Sequence, residues 1–172
     1  LGVGWLQEEF DALGVPWERR GARNDEYIEA MRTLWSGPEV EFHGEFVDFP
    51  TVTCSPRPVQ PTIPILVGGD SEVAIRRAAR LADGYFPGEG DVDRLAALIT
   101  RVRQAAEDAG RDPDEIEINA MFSAQMTDPV AGVERVTELG VGRTMVPAFF
   151  FAGDGGLDRM DEFAGRAIAA GN

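Results

Sequence analysis

The chain has 172 residues, of which 44% are hydrophobic, and this composition supports one compact domain with a sizeable core rather than two. Its formal net charge of -14 repels polyanions, so we expect no nucleic-acid partner. It contains a single cysteine, Cys54, and a single histidine, His43, so we expect neither a disulfide framework nor a Cys/His zinc site. Because a single cysteine allows no disulfide framework, we expect a cytoplasmic protein. Since the sequence has no apolar run long enough to cross a bilayer and no basic secretory signal at its N-terminus, we expect no membrane partner.

The first predicted elements are a helix and a hairpin. A helix is predicted over residues 21–35, where apolar residues recur at helical spacing and Gly37-Pro38 follows the end. The segment V-E-F-H-G-E-F-V-D-F then predicts a short hairpin with its turn at His43-Gly44. Five prolines between residues 50 and 64 predict an extended connector.

From residue 63 onward, strand and helix patterns alternate four times. The predicted strands cover residues 63–67, 83–87, 116–123 and 144–147, and the predicted helices cover 71–82, 92–109, 129 to a stop at Gly140, and 157–170. Consecutive units with short connections imply right-handed crossovers and a parallel sheet. The sequence therefore predicts an α/β protein, either an open doubly wound sheet or part of a (β/α)8 barrel.

The loop Gly68-Gly69-Asp70-Ser71 joins the first of these strands to its helix. Glycines let the backbone pass close to a ligand, and the first N–H groups of a helix offer a positive dipole end to an anion. The loop is therefore predicted to bind the phosphate of a cofactor, with Ser71 as hydroxyl donor or helix cap. The alternative is a tight strand-to-helix turn with Asp70 or Ser71 as N-cap and no ligand.

Several motifs together resemble the luciferase-like monooxygenase superfamily, and more closely its branch of F420-dependent oxidoreductases. They are L-G-V-G-W-L-Q-E-E-F, residues 12–35, the aromatic hairpin, P-I-L-V-G-G-D-S and A-A-R-L-A-D-G-Y-F-P. The resemblance implies a partial TIM (β/α)8 barrel with strands five to eight and the insertion after strand four. Residues 1–172 would form a single domain, in which residues 1–62 hold the end of strand four, a helix and the insertion, and residues 63–172 hold four βα units. An N-terminal part of a full-length member is then expected to be absent.

The resemblance also implies a function. The whole protein would transfer a hydride between coenzyme F420 and a small organic substrate, and the first alternative is an FMN-dependent monooxygenase that activates O2. A second alternative is a truncated, non-catalytic half-barrel that binds or supports a partner, with a homodimer as one form. By resemblance, the residues against the flavin-like ring are Gly2, Val3, Gly4 and Trp5, and Glu8 or Glu9 lies behind them unless these acids only flank a helix start.

Two arginine clusters stand out in this acidic chain: Arg19, Arg20 and Arg23, and Arg76, Arg77 and Arg80. The phosphodiester and polyglutamate tail of F420 would need such cations, whereas the alternative is solvated helix faces paired with neighbouring acids. We interpret Asp83 as structural and His43 as a surface residue. Tyr85 and Phe86 are interpreted as core residues or residues of the barrel mouth. From the sequence we assign no catalytic residue and no metal ligand.

Overall fold

The computed structural model describes residues 1–121 and 128–170. The chain forms two compact units, Leu1–Ile65 and Leu66–Asn172. The prediction that all 172 residues belong to one domain stays a prediction. Within the described ranges, no helix is both long enough and apolar enough to cross a bilayer.

The first unit contains two helices and a two-stranded antiparallel sheet. Helix α1 spans Gln7–Leu13, α2 spans Arg20–Ser36, β1 spans Val40–His43 and β2 spans Asp48–Val52. The predicted helix and hairpin are confirmed, although β2 continues past Pro50, where a connector was predicted. A two-stranded sheet tolerates this proline because both of its strands are edge strands. Residues 1–6 form no strand, and α1, which the sequence analysis did not predict, begins directly after them.

A carboxylate from α2 holds the turn of the hairpin. The Glu26 side chain accepts hydrogen bonds from three backbone N–H groups, those of Glu45 at 3.0 Å and of Phe46 and Val47 at 2.7 Å each. A Cβ atom on Gly44 would overlap this carboxylate, which explains the glycine at the turn. The predicted turn therefore depends on a side chain of the preceding helix as well as on its own sequence.

Replacing Glu26 by alanine is expected to lower the free energy of unfolding of the first unit by about 2 kcal/mol, because three amides lose a charged acceptor. Urea unfolding followed by tryptophan fluorescence measures this, since Trp5, Trp17 and Trp35 all lie in that unit. The control is Glu29→Ala, an exposed acid on the same helix, with an expected change below about 0.5 kcal/mol. Equal losses in the two variants would contradict the role given to Glu26.

The second unit is a four-stranded parallel sheet with helices between its strands. The strands are β3 Leu66–Gly68, β4 Gly84–Phe86, β5 Glu117–Met121 and β6 Val141–Met145, and the helices are α3 Glu72–Leu81, α4 Val92–Asp108, α5 Pro129–Glu138 and α6 Gly156–Ala170. The strands lie in the order β3-β4-β5-β6 and pair in parallel. The alternation and the parallel sheet are confirmed, while β6 begins earlier than the predicted residue 144. Residues 122 and 123 of the third predicted strand lie outside the described residues.

The strand order determines where the helices lie. Right-handed crossovers between strands that follow one another in the sheet place each connecting helix on the same face. On that face Val67, Tyr85, Ile118 and Ala120 are buried, and α3 and α5 contact strands. A doubly wound sheet would reverse its strand order and carry helices on both faces. The observed winding is that of (β/α)8 barrels, and a partial barrel stays a prediction.

Candidate functional site

The loop Gly69-Asp70-Ser71 connects β3 to α3 at the carboxyl edge of the parallel sheet, the edge where ligands bind in such folds. Gly68 is the last residue of β3. Gly69 has a φ of +115°, and a Cβ atom added to it would lie 3.1 Å from the Cβ of Ala74. Only glycine combines this conformation with so close an approach to the first turn of the helix. The prediction of a close backbone turn at this position is therefore confirmed.

Ser71 is the N-cap of α3. Its Oγ accepts a hydrogen bond from the backbone N–H of Ala74 at 3.3 Å, and its carbonyl accepts the N–H of Ile75 at 3.0 Å. Helix geometry leaves the amides of Glu72 and Val73 without an acceptor inside the helix. The hydroxyl therefore caps the helix, which is one of its two predicted roles. Its role toward a cofactor stays a prediction, and the two remaining amides are the groups that an anion would contact.

Two hydrogen bonds tie this loop to β4 and the residues after it. Asp70 Oδ1 accepts the backbone N–H of Gly88 at 2.9 Å, and the Tyr85 hydroxyl donates to the carbonyl of Gly69 at 3.0 Å. Tyr85 is completely buried, as predicted for a core residue. Burial first, and then the nearby Asp70 charge, raise the pKa of its hydroxyl above the usual value, so that the hydroxyl stays protonated and donates.

A cleft of about 220 Å³ opens beside the loop, and its lining carries both signs of charge. The lining residues are Asp70, Glu89, Arg94, Ala97, Leu98 and Arg101. Arg94 Nε lies 2.9 Å from Glu89 Oε2, and Arg101 pairs with Glu72. The two arginines lie two turns apart on α4 and therefore point to the same side. These two arginines were not predicted as site residues, although their spacing on the helix after a strand end could have indicated them.

A second cleft, of about 600 Å³, follows β6 and was also missed. Its lining combines apolar side chains, glycines and acids, among them Phe151, Leu157, Met160, Gly153, Gly155, Gly156, Asp154 and Asp158. The Arg159 guanidinium stabilises this loop because it donates hydrogen bonds to the carbonyls of Asp154 at 2.7 Å and Ala152 at 2.9 Å. The run G-D-G-G, which ends on the first residue of α6, was the signal available in the sequence.

The other predicted cofactor loop, Gly2 to Trp5, lies in the first unit. Gly4 has a φ of +79°, and a Cβ atom on it would lie 2.5 Å from the ring of Phe10. Trp5 is 84% exposed, so it is not a core residue, and Val3 is half-buried. At Gly2 an added Cβ would have open space around it. The contact of these residues with a cofactor stays a prediction.

Comparison with known proteins identifies the family. The family model for luciferase-like monooxygenases matches residues 1–164. This chain belongs to the luciferase-like monooxygenase family. The resemblance carried by the N-terminal, hairpin and P-I-L-V-G-G-D-S motifs is therefore confirmed, and it relates the chain to a family of oxidoreductases and monooxygenases.

Relatives of this luciferase-like chain are longer than it is. An uncharacterized protein of Mycobacterium tuberculosis is 46% identical over 150 residues, which make up 85% of this chain and 50% of that protein. The FMNH2-dependent dimethylsulfone monooxygenase of Pseudomonas putida is 34% identical over 132 residues, or 74% of this chain and 36% of the enzyme. The chain thus spans half or less of the length of these curated relatives.

Solved structures support the fold. The structure of an F420-dependent secondary alcohol dehydrogenase in complex with an F420-acetone adduct superposes with a TM-score of 0.74 at 15% identity. The superposition covers 96% of this chain and 68% of that one. At this identity the likeness concerns the fold alone: an α/β fold with a parallel four-stranded sheet, similar to that of TIM-barrel luciferase-like enzymes.

In this luciferase-like chain the first arginine cluster is engaged by protein groups. Both terminal guanidinium nitrogens of Arg19 donate to the Glu45 carboxylate, and the bond from Nη2 to Oε2 measures 2.6 Å. Arg20 stacks 3.5 Å over the Trp17 ring, and Arg23 donates to two backbone carbonyls. These contacts fit the alternative in which the cluster is part of the first unit's own surface.

The second arginine cluster is divided between core and surface. Arg77 is buried, whereas Arg76 and Arg80 are exposed on α3. The three side chains therefore do not form a single basic surface. Glu8 and Glu9 lie in the first turn of α1, where acids favour the positive end of the helix dipole.

His43 ends β1 and is exposed, as the sequence analysis predicted. Its Nδ1 lies 2.6 Å from Asp48 Oδ1 on the opposite strand. This hydrogen bond, together with the negative charges of Asp48 and Glu41, raises the pKa of the imidazole above its usual 6.5. The His43–Asp48 pair therefore links the two strands of the hairpin.

A proton NMR titration of His43, which is the only histidine, is expected to give a midpoint above 6.5. Asp48→Asn is expected to return the midpoint toward the ordinary value, whereas the control Glu39→Gln leaves it in place. Because the folded-state pKa is raised, the pair contributes stability at low pH, and this contribution disappears as the pH rises through the folded-state pKa. A midpoint that Asp48→Asn does not move would contradict this assignment.

Proposed function

We propose that this chain is part of an F420-dependent oxidoreductase that transfers a hydride between coenzyme F420 and a small organic substrate. The observation that carries the proposal is the Gly69-Asp70-Ser71 loop, where a φ of +115° and the first amides of α3 fit a phosphate group. The F420-dependent secondary alcohol dehydrogenase with the same fold supports this class of cofactor. The activity is proposed for the whole protein, since the chain spans half or less of its curated relatives.

Each residue of the loop has a separate task in this proposal. Gly69 lets the backbone approach the phosphate, and the amides of Glu72 and Val73 donate to it. The bonds from Asp70 to Gly88 and from Tyr85 to Gly69 hold the loop in place. When bound, F420 supplies hydride chemistry at its C5, while the protein supplies position and electrostatics.

The mixed-charge cleft beside the loop favours F420 over FMN. F420 continues beyond its phosphodiester into a polyglutamate tail, whereas FMN ends at its phosphate. The ion pairs of Arg94 and Arg101 are partly exposed, so their present carboxylate partners exchange easily with other carboxylates. We therefore assign the tail to this cleft, where planar guanidinium groups bind carboxylates in bidentate fashion.

An FMN-dependent monooxygenase is the second candidate. Its support is the 34% identity to the FMNH2-dependent dimethylsulfone monooxygenase, which exceeds the identity to the F420-dependent structure. Titration of both cofactors against the chain separates the two, because the absorbance and fluorescence of the bound cofactors differ. Failure to bind either one would leave only the assignment of the fold standing.

Replacing Arg101 by glutamine is expected to weaken F420 binding about tenfold and to leave FMN binding within about twofold, because only F420 carries a tail. Fluorescence titration measures both affinities. The matched control is Arg135→Gln, an arginine of α5 that also forms exposed ion pairs. An equal loss for the two cofactors would contradict the assignment of the cleft to the tail.

Ser71→Asp separates helix capping from phosphate binding. Asp caps a helix as well as Ser does, so thermal stability is expected to hold, while its charge weakens cofactor binding at least about tenfold. Ser71→Ala is expected to lose about 1 kcal/mol of stability with a smaller effect on affinity. Thr100→Asp, which adds the same charge at an exposed site of α4, is the control. Unchanged cofactor affinity in Ser71→Asp would rule out a phosphate at this loop.

A further inference from the structure

The cleft after β6 has the size of a site for a small organic molecule. Its volume of about 600 Å³ falls inside the range of roughly 300–1,000 Å³ that is usual for ligand pockets. Its lining residues come from the 3₁₀-helix Ala148–Phe151, from the loop after it and from the first turns of α6. The mixed-charge cleft beside Gly69-Asp70-Ser71 shares none of these lining residues, so the two clefts are separate.

The sequence specifies the shape of the loop that forms this cleft. Gly155 has a φ of +69°, and a Cβ atom on Gly156 would overlap the carbonyl oxygen of Phe151. The Arg159 guanidinium holds the same loop through two backbone carbonyls. A larger residue at either glycine would therefore change the cleft.

Part of the lining is apolar and exposed to solvent. Phe151, Leu157 and Met160 contribute this part. The Phe151 ring packs against the ring of Phe163 with the centroids 5.7 Å apart, which fixes the orientation of the ring. Leu157 is 74% exposed and Met160 is 41% exposed, so a ligand with an apolar body would remove apolar surface from water here.

The charged side chains that line the cleft are both acidic, Asp154 and Asp158. Within residues 1–121 and 128–170, neither carboxylate has a hydrogen bond or an ion pair. Neither one caps α6, because the carbonyl of Gly155 accepts the N–H of Arg159. The Arg159 guanidinium binds carbonyls and offsets one of the two negative charges. One negative charge remains, and it is complementary to a single cation.

We propose that this cleft binds an organic cation, an ammonium group on an aromatic or aliphatic body. The ammonium group contacts the carboxylates of Asp154 and Asp158 and the face of the Phe151 ring, all of which stabilise a positive charge. The apolar body covers Leu157 and Met160. The net charge of -14 attracts such a ligand and repels an anion of the same shape. The proposal does not depend on the identity of the cofactor.

Three probes of similar size and different charge test this selection: phenethylamine, phenethyl alcohol and phenylacetate. Amide NMR titrations of the whole chain without cofactor, at about 0.15 M salt, measure each dissociation constant and locate the signals that move. The amine is expected to move signals of residues 148–160 and to bind at least about tenfold more tightly than the alcohol, because only the amine is positively charged. Phenylacetate is expected to show no binding.

Two substitutions test the role of the carboxylates. Asp154→Asn and Asp158→Asn each remove one charge and nearly preserve the shape of the side chain. Each is expected to weaken amine binding about fivefold and to leave alcohol binding within about twofold. The matched control is Asp161→Asn, which removes the same charge from an exposed residue of α6 outside the cleft. Its expected effect on amine binding is below about twofold, because salt screens the more distant charge.

Far-UV circular dichroism checks the fold of each variant, and two cleft variants keep the test valid if one of them unfolds. No binding of the amine, or equal affinities for the amine and the alcohol, would overturn the proposal. An equal loss in Asp161→Asn would reduce the effect to overall charge and would also overturn it. Signal changes confined to residues outside 148–160 would place the amine elsewhere, with the same consequence.

Discussion

The handedness of the crossovers between neighbouring strands is the constraint on which the second unit depends. Because β3, β4, β5 and β6 lie in sequence order, each right-handed crossover returns its helix to the same face. The carboxyl ends of all four strands then share one edge, where the described loops after β3, β4 and β6 begin. The position of the candidate site at that edge thus follows from the topology of the sheet.

The hydroxyl of Tyr85 links the core to the candidate site. Its ring is completely buried, and a buried hydroxyl needs a hydrogen-bond partner. That partner is the carbonyl of Gly69, so the packing of the core fixes the position of the loop after β3. Asp70 adds a second bond to the loop after β4. A loop held from two directions keeps its amides in a fixed arrangement, which reduces the entropy cost of binding a ligand.

Periodicity and stop signals were sufficient to predict the helices of the second unit and the hairpin, because these features are encoded locally. The parallel sheet was predicted from the alternation of strands and helices with short connections. Strand bounds were less accurate: β6 begins at Val141 because it pairs with β5, and β2 passes through Pro50 because its outer edge needs no donor. The sequence predicted the Ser71 hydroxyl either as a donor to a cofactor or as a helix cap, and the cap is one of these two alternatives. Side-chain contacts between distant segments could not be predicted from the sequence. Examples are the Glu26 carboxylate in the hairpin turn and the cleft lined by Asp70, Glu89 and Arg101.

The proposed tail site depends on local cations in an acidic chain. The arginines of the mixed-charge cleft carry carboxylate partners, so the proposed tail would bind there by replacing those carboxylates and not by filling a vacant cationic site. Arg94 and Arg101 lie about 10 Å apart along α4, since two helical turns separate them. A single phosphate cannot span that distance, whereas a chain of carboxylates can replace both partners at once. In the proposed F420 complex, exchange at two linked positions would favour a polyanionic tail, even though each exposed pair contributes little by itself.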